Sequence, residues 1–161
     1  MSKDIVTRLK ALRLYGMAGN WPEVVAHSRH AALEPESFMK ALLDAEVAER
    51  EVRSIAYQNH AARFPAHKDL AGYDFTSSTV DEKLVRQLHT TEFTAQVQNV
   101  VFIGGPGTGK THLATALGVE AIHRHKKRVR FYSTVELVNA LEQEKVQGRT
   151  GQMAHRLMYV D

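Results

Sequence analysis

Asn99-Val100-Val101-Phe102-Ile103-Gly104-Gly105-Pro106-Gly107-Thr108-Gly109-Lys110-Thr111-His112-Leu113 is the stretch on which the reading of this chain turns. Val100–Ile103 is a short β-branched and aromatic run without polar alternation, the pattern of a buried parallel strand. Gly104–Thr111 then matches G-x-x-x-x-G-K-[ST] at every position. Leu113, Ala114, Leu117, Ala121 and Ile122 follow at helical spacing. A strand, a glycine loop and a helix in that order give the pattern its mechanism. Small residues let the backbone curl so that successive N–H groups face phosphate oxygens, and the helix N-terminus adds partial positive charge. Lys110 is expected to reach the β- and γ-phosphates of a nucleoside triphosphate, and the Thr111 hydroxyl to ligate Mg²⁺. The residues expected to hold nucleotide are therefore Gly104, Gly105, Pro106, Gly107, Thr108, Gly109, Lys110 and Thr111, with Thr111 also the metal ligand. Average residue frequencies give a chance match in a chain this long about once in two hundred. The competing reading is a glycine-rich connection with an incidental Lys-Thr. No Asn-Lys-x-Asp tetrad for reading guanine is present, which favours ATP.

Towards the C-terminus, Val129-Arg130-Phe131-Tyr132 reads as a second strand. Ser133-x-x-Glu136 is a capping box opening a helix with Leu137, Val138 and Leu141 that stops near Gly148. Strand–helix–strand–helix predicts a βαβ unit, hence an α/β fold with a parallel sheet. Two clear strands make that sheet incomplete, which would leave apolar surface uncovered and stability marginal or partner-dependent.

Towards the N-terminus the pattern is helical. Ile5, Val6, Leu9 and Leu12 repeat until Gly16 and Gly19 break the run, and Pro22 suits the start of a short helix to about His30. Trp21 is expected to anchor these helices. Glu34-Pro35-Glu36 opens the longest helix, with Phe38, Leu42, Ala45, Val52 and Ala56 on one face and Glu46–Arg50 and Glu49–Arg53 as i,i+4 pairs, ending before Pro65. Residues 64–79 read as a linker in which Tyr73 and Phe75 anchor an extended segment. Thr79-x-x-Glu82 is a second capping-box pattern, before a helix with Leu84, Val85 and Leu88 as its buried stripe. Two domains follow: a helical N-terminal domain over 1–67 and a partial nucleotide-binding domain over 68–161.

Bulk properties bound the rest. The chain has 161 residues, no cysteine and a net charge of +3, which leans weakly towards an anionic partner. The absence of cysteine removes disulfides, thiolate nucleophiles and cysteine metal sites. With no long apolar run and no signal-peptide pattern, the expected location is the cytoplasm, away from membranes. His123-Arg124-His125-Lys126-Lys127-Arg128, with Arg130 beyond, fits either contact with nucleic-acid phosphate or a solvated helix end whose cations complement the dipole. His27-x-x-His30 and His123-x-His125 read as solvated histidines rather than metal ligands, since no carboxylate or cysteine cluster accompanies them.

Hydrolysis needs an acidic residue on a strand to orient magnesium and a group to position water. Leu157-Met158-Tyr159-Val160-Asp161 is the one candidate: an apolar strand ending in a Walker B aspartate, or residues just before that strand. No catalytic residue is assigned.

The loop with its continuation His112-Leu113-Ala114 resembles the AAA+ ATPases of the helicase-loader clade. The wider chain resembles the IstB-like transposition helper proteins of bacterial insertion sequences. That likeness is carried by 37–43 (Ser-Phe-Met-Lys-Ala-Leu-Leu), by 45–53, by 68–75 (Lys-Asp-Leu-Ala-Gly-Tyr-Asp-Phe), by 131–139 and by 141–145. The resemblance implies a helical N-terminal domain before a P-loop NTPase core of the AAA+ type. It implies an ATP-dependent, DNA-binding homo-oligomer when full length, which assists the transposase of the same insertion sequence. It also implies that Asp161 leads into the Walker B strand, and that Walker B, the sensors, the arginine finger and the lid lie beyond it. Autonomous ATP hydrolysis is then not expected, as in a truncated copy. The alternatives are a replicative helicase loader and a nucleotide-binding, non-enzymatic remnant.

Overall fold

Met17 and Ala18, in the first turn of their helix, are buried, as are Leu42 and Glu46, and the Met17 N–H donates to the Glu46 carboxylate. The computed structural model describes residues 2–31 and 34–161, and among them are eight helices. They are α1 (Ser2–Ala11), α2 (Tyr15–Ala31), α3 (Pro35–Ala62), α4 (Glu82–His89), α5 (Glu92–Ala95), α6 (Lys110–His123), α7 (Thr134–Val146) and α8 (Gln152–Leu157). Contacts gather the chain into two units, Met1–Ala56 and Tyr57–Asp161, so the division falls within α3. Among the described residues no helix is long and apolar enough to cross a membrane.

In the first unit the expected break at Gly16 and Gly19 lies elsewhere. The chain turns at Leu12–Leu14, where Arg13 takes a φ of 60°, and α2 then runs through both glycines and through Pro22. Gly16 serves close packing instead: a Cβ there would lie 2.4 Å from the Ala45 carbonyl oxygen and 2.6 Å from the Glu46 Cα. That approach lets the Glu46 carboxylate accept hydrogen bonds from the Gly16 and Met17 N–H groups, at 2.8 and 3.2 Å. These are first-turn donors that no residue of α2 satisfies, and α2 has no acidic residue in its first turn. A carboxylate borrowed from α3 therefore caps α2. The expected Glu46–Arg50 and Glu49–Arg53 pairs are present at 2.8 and 2.9 Å, and Trp21 meets Phe38 edge-on at 5.7 Å. Val52 is exposed, so the buried face of α3 runs through Leu42 and Glu46 rather than on to Val52.

The second unit is built around α6. Leu113, Thr115, Ala116, Leu117, Val119, Ala121 and Ile122 are all buried, leaving this helix covered on most sides. Leu113 and Ala116 join Leu70 and Val85 in a core against which Tyr73, Phe75, Val80 and Phe102 pack. Gly118 admits the Phe64 ring, which a Cβ would meet at 2.8 Å. At α4 the cap is Asp81, whose carboxylate accepts from the Lys83 and Leu84 N–H groups, so the expected Thr79–Glu82 box does not form. Val85 is buried while Leu84 is exposed. The Ser133–Glu136 capping box is present as expected.

The α/β fold with an incomplete parallel sheet, read from the sequence as a P-loop NTPase of the AAA+ type, is not observed: among the described residues there is no strand. The physical reason is that a strand exists only through a neighbour that takes its backbone hydrogen bonds. Residues 100–103 make no such bond among the described residues. Phe102 faces the core, whereas Val101 and Ile103 are 77% and 93% exposed. Residues 128–132 are engaged elsewhere: the Phe131 N–H donates to the Ala62 carbonyl at 2.7 Å, and the Asp161 N–H to the Arg128 carbonyl at 2.9 Å.

Two outcomes test the first unit, and Trp21, the chain's only tryptophan, reports on it by fluorescence. Gly16→Ala should destabilise it by about 1–3 kcal/mol, because backbone atoms crowd the added methyl. For Glu46, burial pushes the carboxyl up, but hydrogen bonds from Arg50, Met17 and Gly16 together hold it below its ordinary value. A depressed carboxylate stabilises the fold above its unfolded pKa, and that contribution is lost as pH falls through the folded value. Glu46→Ala should therefore lower the melting temperature at about pH 7, with the deficit shrinking towards about pH 3. An unchanged deficit would assign the effect to packing alone.

Candidate nucleotide-binding site

The glycine loop keeps its shape through backbone conformations that its sequence makes cheap. Gly107 and Gly109 adopt φ values of 77° and 82°, a region that L side chains rarely enter. The Thr108 hydroxyl closes the loop on the Gly105 carbonyl at 2.9 Å. Lys110, the first residue of α6, turns back over the loop. Its ammonium donates to the Gly104 carbonyl at 2.8 Å, the Gly105 carbonyl at 2.5 Å and the Thr108 hydroxyl at 3.3 Å. Thr111 is exposed, and its hydroxyl has no partner among the described residues. The N-cap of α6 is Gly109, which has no side chain to offer, so the first N–H groups of this helix are left for another acceptor. Positions where a Cβ of Gly105 or Gly107 would sit have no atom within 4 Å, which leaves the loop open on that side.

A second wall faces the loop from residues the sequence assigned to a linker. The cavity between them is about 660 Å³ and is lined by 72–74, 77–80, 102–104, 107–110, 112 and 113; Gly105, Pro106 and Thr111 of the loop do not line it. Tyr73 is the hinge of this wall. Its hydroxyl pairs with Ser78 at 2.9 Å and donates to the Thr108 carbonyl at 3.5 Å, while its ring packs against Phe75 and His112. A Cβ on Gly109 would lie 2.6 Å from that ring, so this glycine answers two constraints at once. His112 bonds to the Asp69 carbonyl at 2.7 Å, which ties the start of α6 to the same segment. The carboxylate lining the cavity is Asp74. Hydrogen bonds from Thr76 first, then Ser77, lower its pKa below the ordinary value, and its Oδ1 is taken up within its own turn. The sequence signal for this wall was Tyr73 and Phe75 two residues apart; their meeting with the loop depended on tertiary contact.

Other residues singled out in the sequence fall away from this cavity. Asp161 does not line it. Its carboxylate accepts the Arg128 N–H at 2.7 Å, and that bond is the main cause of its lowered pKa. Within the basic cluster, Arg124 pairs with Glu120 at 2.9 Å, Lys127 bonds Thr94, and Arg130 bonds the Ala61 carbonyl. His123 pairs with Asn59 at 2.9 Å. No group of three or more His, Asp or Glu residues suited to a metal ion gathers among the described residues, around His27, His30, His123 and His125 included.

The loop geometry gives the similarity to known proteins its meaning. Residues 7–161 match the family of IstB-like ATP-binding proteins. A protein of Geobacillus stearothermophilus, named for ATP binding in insertion sequence IS5376, is 35% identical over 139 residues, covering 86% of this chain and 55% of that protein. Its counterpart named for IS21 in Pseudomonas aeruginosa is 31% identical over 157 residues, 97% of this chain and 59% of its own length. One named for IS232 in Bacillus thuringiensis is 29% identical over 150 residues, 91% of this chain and 59% of the relative. The chain thus spans somewhat over half the length of these relatives. Matched along almost its whole length, and with the glycine loop in place, it belongs to the IstB-like ATP-binding protein family.

Proposed function

We propose that this chain binds ATP with Mg²⁺ at Gly104–Thr111 and serves DNA transposition in the cytoplasm as an ATP-binding helper. In this reading it assembles as a homo-oligomer on DNA and assists the transposase of the same insertion sequence, with 1–67 as the helical N-terminal domain and 68–161 as the nucleotide-binding domain. The observation that carries the nucleotide part is the posture of Lys110. Its ammonium rests on two loop carbonyls and the Thr108 hydroxyl, within the same eight residues that a triphosphate would occupy.

The chemistry follows from that posture. Carbonyl dipoles hold an ammonium less strongly than a phosphate oxygen does, because only the phosphate carries full negative charge. An arriving β- or γ-phosphate would therefore draw Lys110 from its carbonyls, while the N–H groups at the start of α6 would donate to the same anion. The exposed Thr111 hydroxyl would hold Mg²⁺, which would supply positive charge to offset that of the phosphates. The wall of Tyr73 and Ser78 meets the loop through Thr108, so phosphate binding also bears on the position of residues 72–80. The names of the relatives support the link to insertion sequences. Duplex binding rests on the resemblance and on the modest positive charge.

Lys110→Ala should weaken binding of ATP–Mg²⁺ by about tenfold or more, read by titration with a fluorescent ATP analogue, with the helical circular dichroism unchanged. Equal affinity in variant and parent would remove Lys110 from the site. Gly109→Ala should also lose affinity, since the substitution strains φ and displaces the Tyr73 ring. For the wider role, duplex DNA binding should fall with salt and rise on adding ATP–Mg²⁺, and the rise should vanish in Lys110→Ala. Binding that ignores nucleotide at every salt concentration would sink the ATP-linked assembly.

A further inference from the structure

Away from the glycine loop, the second unit holds another cleft of about 650 Å³, walled by the last turns of α3, residues 128–132 and residues 153–160. Four arginines line it, Arg63, Arg128, Arg130 and Arg156, against one carboxylate, Glu136. Glu136 is already committed to the Ser133 capping box, so it offsets little of that charge. Two of the arginines are structural. Arg130 is held by the Ala61 carbonyl and lies 5.3 Å over the Tyr132 ring, and Arg128 pairs with Asp161 at 3.4 Å. The other two are exposed: the backbone of Arg63 donates to the His60 carbonyl and that of Arg156 accepts from Tyr159, but among the described residues neither guanidinium has a hydrogen-bond or ion-pair partner. Tyr57 and Tyr159 line the same cleft and are 69% and 58% exposed; Tyr159 meets the His155 ring edge-on at 5.0 Å, and its hydroxyl lies 3.5 Å from that imidazole, so part of the ring surface stays open.

Unpaired guanidiniums beside exposed aromatic faces are the combination that holds single-stranded nucleic acid: phosphates pair with arginine, and bases stack on the rings. Duplex DNA offers no free base face to a tyrosine, and an acidic peptide would satisfy the arginines but leave the rings without a stacking partner. We propose that this cleft binds a short stretch of single-stranded nucleic acid, with a base stacked on Tyr57 or Tyr159 and its flanking phosphates on Arg63 and Arg156. This goes beyond the nucleotide reading of the glycine loop, because it uses none of that loop's residues and needs no ATP.

The test is fluorescence anisotropy of a labelled oligothymidine of about 15 nucleotides, without ATP, on the full chain. The parent should bind it in preference to a duplex of equal length, with affinity falling as salt rises. Arg63→Gln with Arg156→Gln should weaken binding about tenfold or more and flatten the salt slope by about 1.4, the value for two single-strand phosphate contacts. The charge-matched control Lys68→Gln with Lys145→Gln, both exposed and outside the cleft, should change it little. Tyr159→Phe should bind like the parent, whereas Tyr159→Leu should lose about fivefold or more, since the ring and not the hydroxyl is used. Lys110→Ala should leave oligonucleotide binding intact while it weakens ATP, which keeps failure of this proposal separate from failure at the glycine loop. The proposal is overturned by no binding, by an equal loss in the control pair, or by identical affinity in the Leu and Phe variants. Stronger binding of mononucleotide or polyglutamate than of the oligonucleotide also overturns it.

Discussion

Burial of α6 on most of its faces is the constraint on which the unit from Tyr57 to Asp161 depends. The first turn of this helix, from Lys110, has no side-chain cap, while most of the rest of it is shut away from water. The sequence arranges this by position. Gly109 and Gly118 let the Tyr73 and Phe64 rings close onto the helix, and Leu113, Ala116, Ile122 and their neighbours fill the space between. The loop is thereby mounted on a buried helix, with Lys110 folded over the loop carbonyls and Thr111 left exposed.

The same principle operates on a smaller scale in the first unit. Gly16 gives up a side chain so that backbone meets backbone, and Glu46 uses the resulting proximity to satisfy donors at the start of a different helix. A buried carboxylate is costly unless hydrogen-bonded, and three separate partners offset that cost here. In both units, then, a glycine marks a close approach in three dimensions, and at Gly16 it does so where the sequence reads as a helix break.

Charge is distributed by a similar economy. Most of the basic cluster after α6 is occupied with holding the chain together: Arg124 with Glu120, Lys127 with Thr94, Arg128 with Asp161 and Arg130 with the end of α3. The arginines left free, Arg63 and Arg156, lie far apart in sequence and come together only in the fold. Counting basic residues along the chain points to the first group; only the folded chain identifies the second.

The sequence by itself determined the long helix opened by Glu34-Pro35-Glu36, its two i,i+4 ion pairs, the Ser133–Glu136 cap, the glycine loop and the family. Apart from the family, whose likeness is spread along the chain, each of these is set by residues within a few positions of one another, where spacing and chemistry suffice. Tertiary structure alone decided the rest. Val100–Ile103 and Val129–Tyr132 have strand-like composition, yet neither pairs as a strand, because ladder bonds require a neighbour that local sequence does not specify. Tyr73 became part of the loop's wall, and Glu46 the cap of α2, through contacts spanning 35 and 30 residues. Such contacts form when the whole chain packs, and no local pattern encodes them.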